Sequence, residues 1–592
     1  MNFWRRRNIR LRSWIQWGRN KLKLNFLPTE SKVPEDYLAA VARSVGCKTP
    51  EEIAEFLNPE PPIHNHTSFL SDYESAKTRI LDALKNRESI SIYGDYDTDG
   101  ITSLVQMYNF LETAGCDDIS WFIPDRMTDD YGLSVSALER CIGQYKPDLL
   151  ISVDCGSNSM KEIEWLKQKG IDCIVIDHHE VVSSELHPTV AHLNPKAEMK
   201  IDKRMAMLSA SGLTFMFCEQ LAKDMPLPRW NRNRALLLAG LGTIVDVMPL
   251  IDVNRALAKH SIRLANDENE LNTIPGLIAL KNISDAKTVN SYTYAFQWGP
   301  RLNAMGRLED ATISVKLLMS KTLTEAEAYA KICDMTNRER QAIQETIIEE
   351  AEFMALQLLK QNHKVLIVCG KGWHMGVVGI VASKIREKYN RPAIVCGWNE
   401  TDKCWKGSGR SMVGFDMGAA TDSAVKEKIL LRGGGHQMAC GLSFTDDKLQ
   451  ALRNWMNQKC PLTEDDFVPS YNVMGNMFNL HPETWSDVYK QLEPHGNGNP
   501  KPHLYARGKL MWSGEKRTKN DERVWGISAG FRCDDGPDKL VYFVWTDIDR
   551  ASSEWQKGGT YQLVLSLKKS GVESPEGKKT YYNWYVEDCK HE

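Results

Sequence analysis

The chain has 592 residues and a formal net charge of −3 at pH 7, so it is longer than a single hydrophobic core supports and is expected to form roughly three or four domains. This near-neutral charge gives no global sign of nucleic-acid binding, so any such surface has to be local. The fourteen cysteines include no Cys-x-x-Cys pair, which argues against a zinc cluster or a disulfide scaffold and favours a reducing cytoplasm.

Residues 1–35 form a basic arm in which arginines and lysines precede the first acidic residue, Glu30, with Trp4, Trp14 and Trp17 interleaved. No uninterrupted apolar core follows the basic residues, so a secretory signal is not expected. A transit peptide, an arm that contacts nucleic-acid phosphates and a solvated tail remain open as interpretations.

Residues 36–321 are predicted to form an α/β domain. Strand-like apolar runs such as Ser89–Tyr93 and Leu149–Val153 alternate with helical stretches such as Met160–Lys169. This alternation is typical of a parallel sheet, whose ligands bind beyond the carboxyl ends of the strands. The longest apolar stretch, Ala235–Ile251, carries an aspartate and is too short and too interrupted to span a bilayer, so no membrane association is expected.

Three further segments follow. Residues 322–362 lack Gly and Pro and predict one long connector helix between domains. Residues 363–460 alternate strand-like and helical segments with glycine-rich turns, which predicts a second, smaller α/β domain. Residues 465–592 consist of short, aromatic, alternating segments broken by Gly, Asn and Asp, which predicts a small β-barrel.

Three carboxylates alternate in Asp95-Tyr96-Asp97-Thr98-Asp99-Gly100, directly after an apolar run. If that run is a strand, the odd-numbered side chains leave its end on one side and converge. Like charges that close cannot all ionise unless a cation lies among them, so the cluster predicts a hard-metal site. An EF-hand is disfavoured because Gln106 stands at the twelfth position, where a bidentate Glu is needed. A solvated acidic turn is the other alternative.

Three more segment ends add ligand types. Asp154 follows an apolar strand, Asp177-His178-His179 follows another, and Asp246 follows a helix. A single Asp after a strand is more often a helix cap, whereas a His pair is a stronger sign because imidazole is the commonest transition-metal ligand. Mixed carboxylate and imidazole ligation favours Mn²⁺ or Mg²⁺. Several such groups at one sheet edge predict two metals, which suit hydrolysis of a phosphoester.

The second α/β domain offers groups for a phosphate. Gly407-Ser408-Gly409-Arg410-Ser411 is expected to be a flexible turn that presents a guanidinium for bidentate contact. Gly433–Gly441 is expected to be a loop whose bare backbone approaches a ligand closely.

These motifs together resemble those of the DHH phosphoesterases. The segments that carry the resemblance are Tyr93–Gly100, Val153–Gly156, Asp177–His179 and Gly434–Gly441. Three stretches, Pro124–Leu133, Gly299–Arg307 and Gly372–Ala382, narrow it to the branch of single-strand-specific 5′→3′ DNA exonucleases. Leu492–Pro500 is similar to the segment that leads into the OB-fold of that branch. The resemblance implies a parallel-sheet DHH domain, a connector helix, a DHH-associated substrate-binding domain and a C-terminal OB-fold β-barrel.

The resemblance also implies a role for each site residue. Two Mn²⁺ (or Mg²⁺) ions would be ligated by Asp97, Asp99, Asp154, His178 and Asp246, with Asp154 bridging. Asp95 would be a further ligand or would lie behind the ligands. His179, counted with the catalytic set, and Asp177 would orient the ligands or contact the scissile phosphate.

The implied substrate-binding set lies in the cleft between the two α/β domains and comprises Arg126, Arg301, Asn303, Ser408, Arg410, Gly434 and His436. For Arg301 a domain-interface salt bridge is the alternative, and for Arg126 a helix-cap contact. The predicted barrel carries aromatic residues interspersed with lysines and arginines, namely Tyr505, Trp512, Trp525, Phe531, Tyr542, Phe543 and Trp545. They could stack on bases of a single strand, and a place in the barrel core is the competing assignment for each of them.

The function that the resemblance implies is single-stranded-DNA-specific 5′→3′ exonuclease activity that releases 5′-mononucleotides by a two-metal mechanism, in DNA recombination and repair. A monomer is expected, with a helicase or a single-strand-binding protein left open as a protein partner. Two alternatives stand beside it: a DHH phosphoesterase acting on short oligonucleotides or cyclic dinucleotides, and a non-catalytic replication scaffold. The aromatic barrel argues against the first, and the set of mutually repelling carboxylates argues against the second.

Overall fold

A computed structural model describes residues 22–592 except for gaps at 30–31, 61–69, 127–128, 130–131, 183–186, 199–204, 226, 228, 519–523 and 575–576. Residues 1–21, most of the predicted basic arm, lie outside the described residues. No disulfide joins any of the fourteen cysteines.

The strands fall into three sheets and are, in chain order, β1 (Lys23–Phe26), β2 (Ile90–Gly94), β3 (Ile119–Phe122), β4 (Leu149–Val153), β5 (Asp172–Ile176), β6 (Ala191–Leu193), β7 (Leu366–Gly370), β8 (Ala393–Asn399), β9 (Cys404–Arg410), β10 (Arg432–His436), β11 (Ala439–Phe444), β12 (Ser470–Asn476), β13 (His503–Arg517), β14 (Val524–Cys533), β15 (Val541–Trp545), β16 (Thr560–Ser574) and β17 (Gly577–His591).

The α-helices are α1 (Pro34–Ser44), α2 (Pro50–Leu57), α3 (Tyr73–Asn86), α4 (Thr98–Thr113), α5 (Val135–Tyr145), α6 (Met160–Gln168), α7 (Ala210–Asp224), α8 (Arg232–Val245), α9 (Asp252–Ala265), α10 (Glu268–Leu271), α11 (Pro275–Ile283), α12 (Gly299–Leu308), α13 (Thr312–Met319), α14 (Leu323–Lys360), α15 (Met375–Tyr389), α16 (Met417–Lys426), α17 (Leu449–Lys459), α18 (Pro482–Leu492) and α19 (Ile548–Glu554). Within the described part of the chain, no helix is both long enough and apolar enough to cross a membrane.

The first sheet is parallel, in the order β3-β2-β4-β5-β6, which confirms the predicted α/β class. Every residue of β2 and of β4 is buried, as expected of central strands covered on both faces. The chain proceeds from β2 to one side of the sheet and returns to β4 on the other side. The crevice beyond β2 and β4 is therefore a topological switch point, where open α/β sheets bind their ligands.

The predicted connector is α14, one helix of 38 residues capped by Thr322, whose side chain accepts a hydrogen bond from the Glu325 amide. It packs against α12 of the first domain and α15 of the second, so it contacts both domains.

The second domain is a five-stranded sheet in the order β10-β11-β9-β8-β7. The predicted turn at 407–411 and loop at 433–441 are wrong, because Gly407–Arg410 lie in β9 and Gly433–His436 form the antiparallel hairpin β10–β11. Packing explains these glycines. A Cβ at Gly407 would lie 2.3 Å from Cys396 Sγ, and one at Gly409 would lie 2.4 Å from Met417 Sδ.

The C-terminal sheet runs β1-β12-β13-β14-β15-β17-β16, and β13 also pairs with β16, which closes a five-stranded barrel. This confirms the predicted barrel. Phe531, Phe543 and Trp545 build its core, whereas the side chains of Trp512 and Tyr542 are half exposed.

The first described segments, β1, α1 and α2, pack with this barrel domain. β1 pairs with β12, and the ring of Tyr37 in α1 packs at a tilt of 54° against Trp485 with ring centroids 4.7 Å apart and its hydroxyl accepts a hydrogen bond from Asn479. The packing therefore differs from the predicted boundary at residue 36: α1 and α2 lie with the C-terminal domain, through contacts that are remote in sequence.

Candidate metal centre

The acidic segment leaves β2 as a loop that starts α4. Asp97 is the N-cap of α4, and its Oδ1 accepts hydrogen bonds from the amides of Asp99 (2.9 Å) and Gly100 (3.2 Å). A Cβ at Gly100 would lie 2.5 Å from the Asp95 carbonyl oxygen, so glycine alone allows this tight return. The predicted strand alternation is therefore not what gathers the carboxylates; a strand-to-helix turn does.

Asp154 follows β4 in a left-handed backbone conformation with φ +62°. Such a conformation costs a non-glycine residue roughly 1–2 kcal/mol, and residues held in it cluster at functional sites. Its amide donates to the Ile176 carbonyl (2.9 Å), which ties the turn to β5. The strained turn thus fixes the Asp154 carboxylate at the switch point.

Asp177 follows β5 and organises the histidines. Its Oδ1 lies 2.7 Å from both the His178 amide and His179 Nδ1, and its Oδ2 accepts from the Ser157 amide (3.0 Å). Burial alone would raise the pKa of Asp177, but the bond to and charge of His179 hold it well below its usual range. Asp177 is thus placed to orient His179, whereas the expectation that both residues orient the ligands or contact the scissile phosphate stays a prediction.

His178 Nε2 faces three carboxylates. It lies 3.3 Å from Asp154 Oδ1, 3.6 Å from Asp246 Oδ2 and 3.8 Å from Asp99 Oδ2. Asp99 is fixed by the amino end of α7, because its carboxylate accepts from the amides of Ala210 (2.7 Å) and Ser211 (3.1 Å). Burial, with the nearby His179, lowers the pKa of His178 to about 3, so its ring is neutral and able to ligate a cation at neutral pH.

The ligand atoms form overlapping triads: Asp95–Asp97–Asp154, Asp99–His178–Asp246 and Asp154–His178–His179. Within each triad they lie within 4.8 Å of one another. All six sequence-predicted ligands are thus brought together, and Asp154 and His178 are each shared between two triads.

The centre is chemically unsatisfied as it stands. Asp95 Oδ1 and Asp154 Oδ1 are buried and receive no hydrogen bond from the described residues. Burial, reinforced by neighbouring aspartates, raises the pKa of Asp95, Asp99, Asp154 and Asp246. Oxygen ligands that lack donors and repel one another fit divalent Mn²⁺ or Mg²⁺, and the sharing of Asp154 fits two ions with that carboxylate between them.

Cationic groups lie beside the acidic ones. Arg126 stacks on Tyr96 with its guanidinium carbon 4.8 Å from the ring centroid, and its charge acts to lower the pKa of Asp95. From the second domain, Arg410 donates to Ser408 Oγ (2.8 Å). Burial and the charge of Arg126 lower the pKa of the Arg410 guanidinium, so both domains contribute positive charge to one cleft.

Other predicted substrate residues have structural partners. Arg301 Nε lies 2.9 Å from Asp334 of α14, which favours the salt-bridge interpretation for Arg301. Asn303 Oδ1 accepts from Thr98 N (2.8 Å) and Oγ1 (2.6 Å), so it fixes the start of α4. Their phosphate contacts stay predictions, as do those of Gly434 and His436. A Cβ at Gly434 would meet nothing within 4 Å, so no internal contact accounts for the bare backbone there.

Two arginines were missed from the sequence. Arg307 is partly buried and donates to the Gly376 carbonyl of the second domain (3.1 Å), and desolvation, with the charges of Arg126 and Arg340, lowers its pKa to about 10. Arg340 extends from α14 and is nine-tenths buried. Arg307 is the last residue of a motif that carried the resemblance, so its position in that motif could have identified it. Arg340 is one of many charged residues in a long helix, and nothing in the sequence pattern distinguishes it from the others.

The comparisons with known proteins agree with this geometry. The model of the DHH family, N-terminal domain, matches residues 89–241, and that of the DHHA1 domain matches residues 362–460. The chain is 34% identical over 486 residues to the single-stranded-DNA-specific exonuclease RecJ of Bacillus subtilis, covering 81% of this chain and 59% of that protein. It is 30% identical to the Haemophilus influenzae protein of the same name, covering 74% of this chain and 78% of the relative.

Among solved structures, RecJ of Thermus thermophilus in complex with Mn²⁺ superimposes with a TM-score of 0.77 at 24% identity, covering 96% of this chain and 80% of that one. This likeness supports the order of domains described above.

Proposed function

The chain belongs to the RecJ family of DHH phosphoesterases, and on this premise we propose that it is a metal-dependent exonuclease that degrades single-stranded DNA from the 5′ end and releases 5′-mononucleotides. The observation that carries the proposal is the pair of acidic triads at the switch point of the sheet, which Asp154 of one and His178 of the other link through the third triad. Two bound divalent ions would supply Lewis acidity and a clamp on the attacking and leaving oxygens.

Separate groups of residues would bind the two ions and the scissile phosphate. Asp95, Asp97 and Asp154 would hold one ion, and Asp99, His178 and Asp246 the other, with Asp154 between them. His179 is oriented by Asp177, and that bond and charge raise the pKa of His179 although burial alone would lower it. A protonated His179 would donate to an oxygen of the scissile phosphate.

Single-strand selectivity follows from the cleft. The phosphates would lie between Arg126 of the first domain and Arg410 of the second, with Arg307 and Arg340 adding positive charge at the connector. A cleft too narrow for a duplex would be the physical cause of this selectivity. Beyond it, the exposed rings of Trp512 and Tyr542 on the barrel would stack on bases of the strand.

Digestion of single strands labelled at the 5′ or the 3′ end, with Mn²⁺ present, tests the proposal. We expect immediate release of the 5′ label as a mononucleotide and progressive shortening of 3′-labelled strands. Asp154→Ala should abolish cleavage while strand binding stays largely intact. Release of the 3′ label first, or turnover by Asp154→Ala, would contradict the polarity or the assigned bridge.

The same assay addresses the alternatives. Preference for dinucleotides over long strands would favour a small-substrate phosphoesterase, and absence of turnover on any substrate would favour a scaffold. We further propose a cytoplasmic monomer acting in DNA recombination and repair. Any contact with a helicase or a single-strand-binding protein would add to the strand path rather than to the metal centre.

A further inference from the structure

The turn after the metal ligand Asp246 is strained. α8 ends at Val245, and the chain turns through Val247 with φ +59°, a left-handed conformation that is a genuine outlier for a β-branched residue. The Met248 amide donates to the Thr243 carbonyl (3.2 Å), which closes the helix end in the manner usually made by glycine. The side chain of Val247 is 64% exposed, so its own packing does little to hold this backbone.

A loop of the barrel domain holds the turn from outside. Asn497 Nδ2 donates to the Val247 carbonyl (2.9 Å), and the Leu250 amide donates to the Asn497 carbonyl (2.7 Å). The loop lies very close to the turn, since a Cβ at Gly498 would lie 3.1 Å from Pro249 Cβ and one at Gly496 would lie 2.7 Å from Leu250 Cδ1. Asn497 thus forms hydrogen bonds with both ends of the turn, at Val247 and at Leu250.

The loop itself is anchored to the first domain. Arg255 of α9 is 1% exposed, and its guanidinium donates to the carbonyls of Leu492 (3.1 Å), Glu493 (3.1 Å) and Pro494 (3.3 Å). Asn499 Nδ2 donates to two of the same carbonyls from within the loop. Because the buried Arg255 guanidinium donates hydrogen bonds to the loop backbone, it fixes the position of the loop over the turn.

We infer that Asn497 is a positioning residue for the metal ligand Asp246. The barrel domain would then complete the metal centre in addition to binding single-stranded DNA. The inference rests on the proposed metal site. Without Asn497 the strained Val247 relaxes, and the Asp246 carboxylate, only one residue away, leaves its place opposite His178. Loss of one hydrogen bond behind a ligand should weaken Mn²⁺ binding about 3- to 10-fold.

The test measures Mn²⁺ affinity of the full chain by titration, with free Mn²⁺ followed by electron paramagnetic resonance. Asn497→Ala should weaken binding at one of two sites. The matched control is Asn476→Ala, which removes two side-chain bonds in the barrel domain, from Asn476 Nδ2 to Asp535 (2.8 Å) and from the Phe478 amide to Asn476 Oδ1 (3.0 Å). It does not touch the turn and should leave Mn²⁺ affinity unchanged.

A rescue separates positioning from a general loss of stability. Val247→Gly removes the cost of the left-handed conformation, so Asn497→Ala combined with Val247→Gly should recover most of the lost affinity. Mn²⁺ affinity of Asn497→Ala equal to that of the parent, or no recovery in the double variant, would overturn the inference. A parent chain that binds no Mn²⁺ would instead refute the proposed function, and the inference with it.

Discussion

Replacement of Asp154 by Asn should make the metal-free protein more stable while it destroys the metal site. Carboxylate oxygens of Asp95 and Asp97 lie within 4.8 Å of Asp154, and one such repulsion is worth about 3 kcal/mol at an effective dielectric constant of about 20. In the parent protein, protonation of these carboxylates relieves part of the repulsion, so we expect Asp154→Asn to raise the free energy of unfolding by about 2 kcal/mol. Asn accepts the φ of +62° as readily as Asp, so the backbone need not change.

For a domain of this size the gain corresponds to a melting temperature about 4–8 °C higher in EDTA at pH 8. Calorimetry of Asp154→Asn and of the exposed control Asp117→Asn, each with EDTA and with Mn²⁺, measures it. Mn²⁺ at about 100 times its dissociation constant should stabilise the parent and the control by about 2.7 kcal/mol and the Asp154 variant far less. A variant less stable than the parent in EDTA, or one that keeps the full Mn²⁺ response, would refute the reasoning.

Three further predictions follow from the same centre. Arg126→Ala should weaken binding of single strands of any sequence and reduce the salt slope of the affinity by about one, measured by fluorescence anisotropy; an unchanged slope would count against a phosphate contact. Gly242→Ala should lower Mn²⁺ affinity at least tenfold because the added Cβ would lie 2.7 Å from Asp99 Oδ1, whereas Gly143→Ala, where a Cβ meets nothing, should not. Burial raises the pKa of the central carboxylates, so their contribution to the stability of the metal-free protein is full at low pH and is lost as pH rises through the raised pKa values. The gain in melting temperature on adding Mn²⁺ should therefore be larger at pH 8 than at pH 6. A smaller gain at pH 8 would contradict the burial of these charges.

The sequence was most informative where local pattern and chemistry coincide. Alternation of apolar strands with helices predicted the parallel sheet, and the acidic groups at segment ends predicted a metal site at one edge. That inference worked because parallel strands end at the same edge, so Asp95 after β2 and Asp154 after β4 had to be neighbours.

Features that depend on packing between remote segments could not be predicted. The glycines of β9 and β10 resembled turn residues, yet at every one of them except Gly434 a Cβ would come too close to atoms of a neighbouring helix or strand. The pairing of Arg301 with Asp334 and of Tyr37 with Trp485 joins positions with no common local pattern. Asn497 lies 250 positions from Val247 and is visible only once the fold brings them together.

The most direct measurement is anomalous X-ray scattering at the manganese edge from crystals of the full chain grown with Mn²⁺. The account predicts two peaks, one between Asp97 and Asp154 and one between His178 and Asp246, and both should vanish or weaken strongly in Asp154→Asn crystals. Diffraction that shows manganese only elsewhere on the molecule, or these side chains hydrogen-bonded to one another around an empty pocket, would contradict it.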